Sequence, residues 1–528
     1  MLTIQQLSYT HPNKDLLFSE INLTVNAQEK IALIGNNGTG KSTLLKIVAG
    51  ELQYAEGHLQ IESEPYYIPQ IFGQYNHLTI AEALRIHKKL NAFREILNGN
   101  TSEENFNILN DDWTIEDRYK EALKYWNISD LNISSPIKSL SGGQKTKVFL
   151  AGILIHQPKF ILLDEPSNHL DATGRQLLYN FIQSTKSTLV IVSHDRKLLN
   201  LLNKVAELSK NAIKVYGGNY EFYTAQKQIE NNALSNNIQS KEKALKKAKE
   251  KERETLERQQ KLDRRGKGKQ EKSGVSRIMM NTLRNNAENS TSKMKGIHAE
   301  KVDGISKELQ NFRSTLSDID KMKFGFEDSS LHKGKILFTA TNINFKYNTN
   351  KLWEKDLNFQ IISGERIALK GKNGSGKTTL IKLILGTLET QLGNIKRAEN
   401  SSVYIDQDYS LLDNKLNVFE QSQQFNSSTL QEHEIKIRLN RFLFTKNEWD
   451  KPISALSGGE RMRLMICCLT ISNRSPDIII LDEPTNNLDL QNIEILTAAI
   501  NEYQGTLIIV SHDETLLEQI NINRIIKL

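Results

Sequence analysis

The sequence predicts an α/β protein in which two copies of one domain flank a long helical hairpin, and three observations carry that expectation. Four short motifs recur in the same order in the two halves. In each half, apolar runs of strand length end in glycine-rich or acidic turns that lead into helical patterns. Between the halves, residues 221–333 carry none of these motifs and open with a long stretch rich in Lys, Glu, Gln and Ala, all good helix formers. The expected boundaries are 1–220 for the first domain, 221–333 for the connector and 334–528 for the second domain.

The repeat comes first, because self-similarity decides the architecture before any local reading. GNNGTGKST at Gly35–Thr43 pairs with GKNGSGKTT at Gly371–Thr379, and LSGGQ at Leu140–Gln144 with LSGGE at Leu456–Glu460. ILLDEPSNHLD from Ile161 pairs with IILDEPTNNLD from Ile479, and IVSHD from Ile191 with IVSHD from Ile509. One match could be chance, but four in register leave chance no room.

A chain of 528 residues is long enough for two or three full-sized cores and needs no disulfide or metal to hold them. The two cysteines, Cys467 and Cys468, are adjacent, and neighbours on a helix point to different faces, which argues against a structural bridge and for a reducing compartment. MLTIQQLSYTH at the start reads as a strand and lacks the basic and apolar regions of a signal peptide. The densest apolar stretch, ILIHQPKFILLDEP, is broken by polar residues well short of the ~18 that a membrane helix needs. A soluble, cytoplasmic protein is expected, and with the strand pattern NRIIKL at its end, no C-terminal extension.

In the first domain the strand Lys30–Ile34 should enter the glycine-rich loop Gly35, Asn36, Asn37, Gly38, Thr39, Gly40, followed by Lys41, Ser42 and Thr43 at a helix start. Successive backbone N–H groups and the helix N-terminus then face phosphates, Lys41 supplies a charge to the β and γ groups, and the Ser42 hydroxyl can ligate Mg²⁺. A plain glycine turn would not explain Lys41 and Ser42. His11 lies 24 residues before Gly35 and Tyr347 lies 24 before Gly371. Both rings can stack on adenine, and His11 reads equally as an ordinary surface histidine. Gln70 ends the strand pattern PYYIPQ and Gln407 ends VYIDQ; a neutral amide there can reach both Mg²⁺ and an attacking water. Asp164 and Glu165 close a buried strand, Asp164 placed to hold Mg²⁺ and Glu165 to act as general base toward a water in line with the γ-phosphate. His194, after the strand TLVIVS, suits a γ-phosphate contact. The first copy carries 21 more residues between its glutamine and its LSGGQ than the second, in the polar region GNTSEENFNILNDDW. That insertion reads as a solvated loop or an extended helical subdomain, and its acidity argues against RNA contact.

These residues resemble the ATP-binding cassette superfamily, since P-loop, glutamine loop, LSGGQ signature, aspartate–glutamate strand end and histidine switch all occur in that family's order, in both halves. The resemblance implies two P-loop NTPase domains paired head to tail, with each ATP between one domain's P-loop and the other's signature. Site one would use Lys41, Ser42, Gln70, Asp164, Glu165 and His194 against Ser457, Gly458 and Gly459. Site two would use Gly371, Lys372, Asn373, Gly374, Ser375, Gly376, Lys377, Thr378 and Thr379, with Gln407, Asp482, Glu483 and His512, against Ser141, Gly142 and Gly143. Glu165, Glu483, His194 and His512 would be catalytic, and Ser42, Gln70, Asp164, Thr378, Gln407 and Asp482 would hold Mg²⁺. An SGG followed by a helix is by its chemistry a second phosphate cradle, offering a hydroxyl and backbone donors.

The connector holds the protein's charge. Lys241 to Lys272 contains 14 Lys and Arg against 7 Asp and Glu, and the whole chain's formal net charge is +7, so everything outside that window is neutral. Charge concentrated in this way points to an anionic partner met by the segment, with nucleic acid the first candidate. The helical pattern from GNYEFY is expected to reach about Leu262. On the returning half Ile297, Val302, Ile305, Leu309, Phe312, Leu316, Ile319 and Met322 recur mostly at three and four residues, a stripe suited to packing in an antiparallel hairpin. The turn, Arg264 to Asn286, combines Arg264, Arg265, Lys267, Lys269 and Lys272 with Val275, Ile278, Met279, Met280 and Leu283. It reads either as a solvated hinge or as an RNA-contacting tip, the basic residues on phosphates and the apolar ones in a crevice or against bases.

Tandem cassettes, no membrane segment, a charged connector opening with GNYEFY, and the tails EPSNHLD and EPTNNLD resemble the ABC-F family. That resemblance implies an ATPase that binds the ribosome and sends its connector toward the P-site tRNA and peptidyl-transferase centre, as a translation factor or as a protein that dislodges ribosome-targeting antibiotics. The family's usual tail is EPTNHLD; Ser167 replaces Thr in one copy and Asn487 replaces His in the other. The alternative is the fused ATPase subunit of an importer with separate membrane chains, which has no use for a basic hairpin between its cassettes.

Overall fold

The structure, a computed structural model, describes residues 1–12, 14–270, 292–293, 296–297, 299–312, 326, 332, 334–347, 350–372, 374–427, 430–472, 474–486 and 488–528. Two compact units result: Met1–Tyr223 together with Met322–Leu528, and Thr224–Lys321.

Buried β-branched and leucine runs build the first unit. KIALI, FILLD and TLVIV are buried along their whole lengths or nearly so, the pattern of parallel strands covered on both faces. They lie in a six-stranded sheet in the order Tyr66–Ile68, Phe160–Asp164, Thr188–Val192, Lys30–Ile34, Lys204–Leu208, Ile213–Tyr216, parallel except for the last. The second half repeats this with Ser402–Ile405, Ile478–Asp482, Thr506–Val510, Arg366–Lys370 and Arg524–Lys527, all parallel. Each half adds a three-stranded antiparallel sheet, Leu16–Val25 with Leu2–Thr10 and Glu56–Ile61 in the first, Leu357–Ile362 with Ile336–Asn344 and Leu392–Arg397 in the second. Because the central strands are parallel, the ends that carry Gly35, Gln70, Asp164 and His194 all open on one edge of the sheet, the edge where parallel α/β sheets bind ligands.

The acidic insertion is helical, not a bare loop. His87–Leu97, Glu103–Leu109 and Ile115–Tyr125 form it, with Ser102 capping the second helix at the Asn105 N–H. Asp112 is held by Lys89 at 2.9 Å and Arg118 at 2.7 Å, so part of its acidity is spent internally. Beneath it Trp126 is fully buried among Leu123, Ile128 and the signature helix Gly142–His156. Trp126→Ala should lower unfolding free energy by about 3–5 kcal/mol, read from denaturant melts of the full chain.

Cys467 and Cys468 are both free and buried in the helix Gly458–Ile471, with burial pushing both thiols up.

The second unit is helical. Its outgoing helix, Tyr220–Gln270, runs 51 residues, roughly 75 Å. It runs past Leu262, where the sequence predicts its end, and through Gly266 and Gly268: two helix-interior glycines cost about 1 kcal/mol each, and the surrounding Lys, Arg and Gln keep the hydrogen-bonded spiral going, while residues 271–286 of the expected turn lie outside the described residues. On the returning segment Leu309 is buried, Val302, Ile305 and Phe312 are half-buried, and their neighbours are exposed. Ile238 is buried on the outgoing helix and Lys241 pairs with Glu308, so the two helices pack against each other as a hairpin. Ile297 departs from the expected stripe; at 58% exposure it faces solvent. Leu316, Ile319 and Met322 lie outside the described residues, as do Lys272, the apolar group 275–283, and the side chains of Arg264, Lys267 and Lys269. Arg265 is exposed. No helix among the described residues is long and apolar enough to cross a membrane.

Candidate nucleotide-hydrolysis sites

Each P-loop closes on its own lysine. Lys41 Nζ donates to the carbonyls of Gly35 at 2.7 Å and Asn36 at 3.1 Å, and Lys377 Nζ to those of Gly371 at 2.8 Å and Lys372 at 3.1 Å. Folding the lysine back over the loop places its charge beside the backbone donors at the helix N-terminus. Gly40 (φ +96°) and Gly376 (φ +89°) cap those helices in the left-handed region, where a Cβ would also meet Leu17 at 2.7 Å or Leu352 at 2.6 Å. Both positions therefore require glycine.

Glu165 (φ +50°) and Glu483 (φ +48°) share an uncommon left-handed backbone, each fixed by its N–H donating 2.8 Å to the carbonyl of Val192 or Val510. Strain of this kind persists only where the surroundings enforce it, and here both copies enforce it on the same residue. His194 Nε2 lies 3.2 Å from Glu165 Oε1 and its backbone N–H donates to Glu165 Oε2 at 3.3 Å; His512 Nε2 lies 3.5 Å from Glu483 Oε1. Burial, reinforced by Asp164, raises the Glu165 carboxyl to about 8. Burial raises Glu483 to about 7, with Arg175 the leading opposing influence. Burial pushes the imidazoles the other way, His194 to about 3 with Lys41 adding to it and His512 to about 4 with Lys377 and Arg175, so both histidines are neutral at pH 7.

A cavity of about 440 Å³ gathers His11, Asn37, Gly38, Gly40, Lys41, Ser42, Thr43, Gln70, Asp164, Glu165 and His194 with Ser457 from the other half. A smaller one brings Ser141, Gly142 and Gly143 of the first half to Gln407, Glu483 and His512 of the second. Among the described residues the second P-loop does not line this smaller cavity; it stands at the end of strand Arg366–Lys370, which Thr506–Val510 separates from the strand that carries Asp482. The two halves also touch directly: the Asn37 N–H donates to Asp489 Oδ2 at 2.7 Å, Arg196 Nη1 to Gln519 Oε1 at 2.9 Å, and Lys197 pairs with Glu514. Ser141 and Ser457 cap the signature helices, each hydroxyl accepting the N–H of residue +3 in a capping box.

His11 lines the first cavity, its ring edge-on to Tyr9. Tyr347 is 58% exposed, its hydroxyl 3.1 Å from Thr379 Oγ1, which ties it to the end of the second P-loop and leaves its ring accessible. Asn373 lies outside the described residues. Several groups at the sites escape a motif reading. Tyr404 donates to Asp482 Oδ2 at 2.9 Å, Tyr67 stands 3.5 Å from Asp164 Oδ2, and Asp489 reaches the opposite P-loop. The tyrosines occupy matching places in PYYIPQ and VYIDQ, and Asp489 ends a repeated tail, so the repeat itself was the available signal.

Two P-loops on parallel sheets, the first sharing a cavity with the other half's signature serine, and a buried glutamate–histidine pair in each half define a tandem P-loop ATPase. Comparison with known proteins agrees. The family described as "ABC transporter" matches residues 18–168 and 354–486. The putative ATP-binding protein YdiF of Bacillus subtilis (strain 168) is 32% identical over 98% of this chain and 79% of its own length. The ATP-binding protein Uup of Escherichia coli (strain K12) is 30% identical over 95% of this chain and 77% of its own length. Among solved structures, one titled "RNase-L Inhibitor" superposes with a TM-score of 0.60 at 19% identity, covering 99% of this chain and 87% of that one, a likeness of fold. The chain belongs to the ABC-F family of tandem ATP-binding cassette ATPases and is an ATP hydrolase.

Proposed function

We propose that this protein is a cytoplasmic ATPase that binds the ribosome in its ATP-bound state and acts through its connector near tRNA and the peptidyl-transferase centre, as a translation factor or a ribosome-protection protein. The observation that carries this reading is the 51-residue helix bearing most of the chain's net positive charge between two complete cassettes. Ribosomal RNA is the anion such a helix suits, because phosphate density rewards a run of Lys and Arg. A solved structure that shares this fold is titled as a complex of an archaeal ribosomal stalk protein with an archaeal ribosome recycling factor.

In this reading residues 1–220 and 334–528 are the engines and 221–333 the effector. Each ATP lies between one P-loop and the opposite signature, as the cavity shared by Lys41 and Ser457 favours. Glu165 and Glu483 take the proton of the attacking water, His194 and His512 hold the γ-phosphate as neutral donors, and Gln70 and Gln407 orient the water. His11 and Tyr347 stack on adenine. Magnesium fits the first site: Asp164 Oδ1 is buried with no hydrogen-bond partner, and Ser42 lines the same cavity. Ser42, Gln70 and Asp164, with Thr378, Gln407 and Asp482 opposite, would hold the ion, which neutralises charge between the β- and γ-phosphates.

The connector is tested by changing Arg264, Arg265, Lys267, Lys269 and Lys272 to Gln and measuring ribosome co-sedimentation across a salt series. Each lost phosphate contact should flatten the log–log slope by about 0.7 to 0.9 while ribosome-free ATP binding stays intact. An unchanged slope would make the tip a solvated hinge and favour the importer-subunit alternative. In vitro translation with and without peptidyl-transferase inhibitors separates the translation-factor and protection roles.

A further inference from the structure

The two halves are not equivalent across their interface. Four residues after the aspartate of EPSNHLD, the first half carries Arg175; four after that of EPTNNLD, the second carries Ile493. Both sit in the first turns of matching helices, Ala172–Ser184 and Leu490–Glu502, capped by Asp171 and Asp489. Ile493 is buried and lines neither cavity. Arg175 instead lines the cavity that holds Glu483, His512, Gln407 and the signature Ser141–Gly143. Its side chain is held from behind, Nε donating to the Leu170 carbonyl at 3.3 Å and Nη1 lying 3.8 Å from Asp195 Oδ2. Among the described residues of that cavity's lining it is the sole permanently charged cation, and the first cavity has no arginine in its lining.

We infer that Arg175 is a phosphate-binding residue of the second ATP site, contributed by the first cassette, and that it makes the two sites chemically unequal. Glu483, His512 and Gln407 surround the position where a γ-phosphate is attacked, so a guanidinium sharing their cavity meets the charge that builds on the γ-phosphoryl oxygens as the bond to the β-phosphate breaks. Arginine suits that task because its planar fork donates to two phosphate oxygens at once and stays charged at any physiological pH. The leucine-tethered Nε and the Asp195 contact pre-set the fork's direction, so little side-chain freedom is lost when phosphate arrives. Ile493 offers the first site nothing of this kind. The inference rests on the composite-site reading above.

The test uses the full chain with one site silenced at a time. In a Glu165→Gln background turnover reports on the site containing Lys377; in a Glu483→Gln background it reports on the site containing Lys41. Arg175→Ile, Arg175→Lys and Ser141→Ala are each introduced into both, and steady-state hydrolysis is measured beside the affinities for fluorescent ATP and ADP analogues. Arg175→Ile should reduce kcat at the Lys377 site at least tenfold and narrow the preference for ATP over ADP there, with ADP affinity retained as the sign of an intact fold. Arg175→Lys should recover part of the loss. If Arg175→Ile acts only at the Lys41 site, the residue works through Asp195 on the neighbouring His194 and the inference is wrong; if it changes neither site, the inference is wrong as well. Ser141→Ala separates the two levels: when it impairs the Lys377 site and Arg175→Ile does not, only the inference fails, and when both impair the Lys41 site, the composite reading fails with it.

Discussion

Replacing both strand-end glutamates, Glu165→Gln with Glu483→Gln, should slow ATP hydrolysis by about 10²–10⁴-fold while ATP still binds. An amide keeps the shape of the side chain and cannot take a proton from water. The contacts that aim these groups run largely through the backbone: the residue's own N–H to Val192 or Val510, and the positive φ of the turn, which glutamine tolerates as glutamate does. Binding should therefore survive, and with no base to activate water the bound ATP should persist. The variant should accumulate with ATP trapped between its halves. Single-turnover hydrolysis and retention of labelled ATP after gel filtration give the two readings, and near wild-type turnover would take the base role away from these residues.

The second large effect concerns the partner half. Ser457→Arg should abolish turnover at the site containing Lys41, more than tenfold, although Ser457 is far from Lys41 in sequence. Ser457 lines the same cavity as Asn37, Lys41 and Glu165, and it caps the helix whose N-terminus faces that space. An arginine there fills the gap, sets a charge against the helix N-terminus and breaks the hydroxyl's bond to the Glu460 N–H. The matching Ser141→Arg should act on the Lys377 site. Fluorescent-nucleotide binding to each P-loop should persist in both variants, because neither replaces a P-loop residue. Loss confined to the mutated cassette's own P-loop would mean that the cassettes work as independent units.

What the sequence made legible was whatever is local and repeated. Strand Lys30–Ile34, the loop that follows it and the Asp164–Glu165 strand end lie where the apolar runs and motif spacing put them, since each is fixed by neighbours in the chain. The hairpin's inward positions Val302, Ile305, Leu309 and Phe312 were legible for the same reason, as a helical period shows in the sequence itself. Two details of the connector differ from expectation. The outgoing helix, expected to reach about Leu262, runs on through Gly266 and Gly268 to Gln270, because intrinsic propensity is a weak signal beside a continuous hydrogen-bonded helix. Ile297 matched the period and still faces water, because periodicity cannot say where the facing helix offers a surface.

The site's tertiary partners were harder to read. Asp489 bonding Asn37 across the halves, Tyr404 holding Asp482 and Arg175 entering the opposite cavity all join residues distant in sequence. For Tyr404 and Asp489 the repeat marks the position, and nothing nearby in the chain names the partner. For Arg175 the clue was a difference between copies, Arg against Ile, which a search for similarity passes over.

Co-sedimentation of the Glu165→Gln/Glu483→Gln protein with ribosomes, in ATP and in ADP, tests the proposed function most directly. ATP should drive the variant into the ribosomal pellet, ADP should not, and rising salt should release it with a slope set by the connector's basic residues. A pelleted fraction that is the same in ATP, in ADP and without nucleotide would contradict the proposed function.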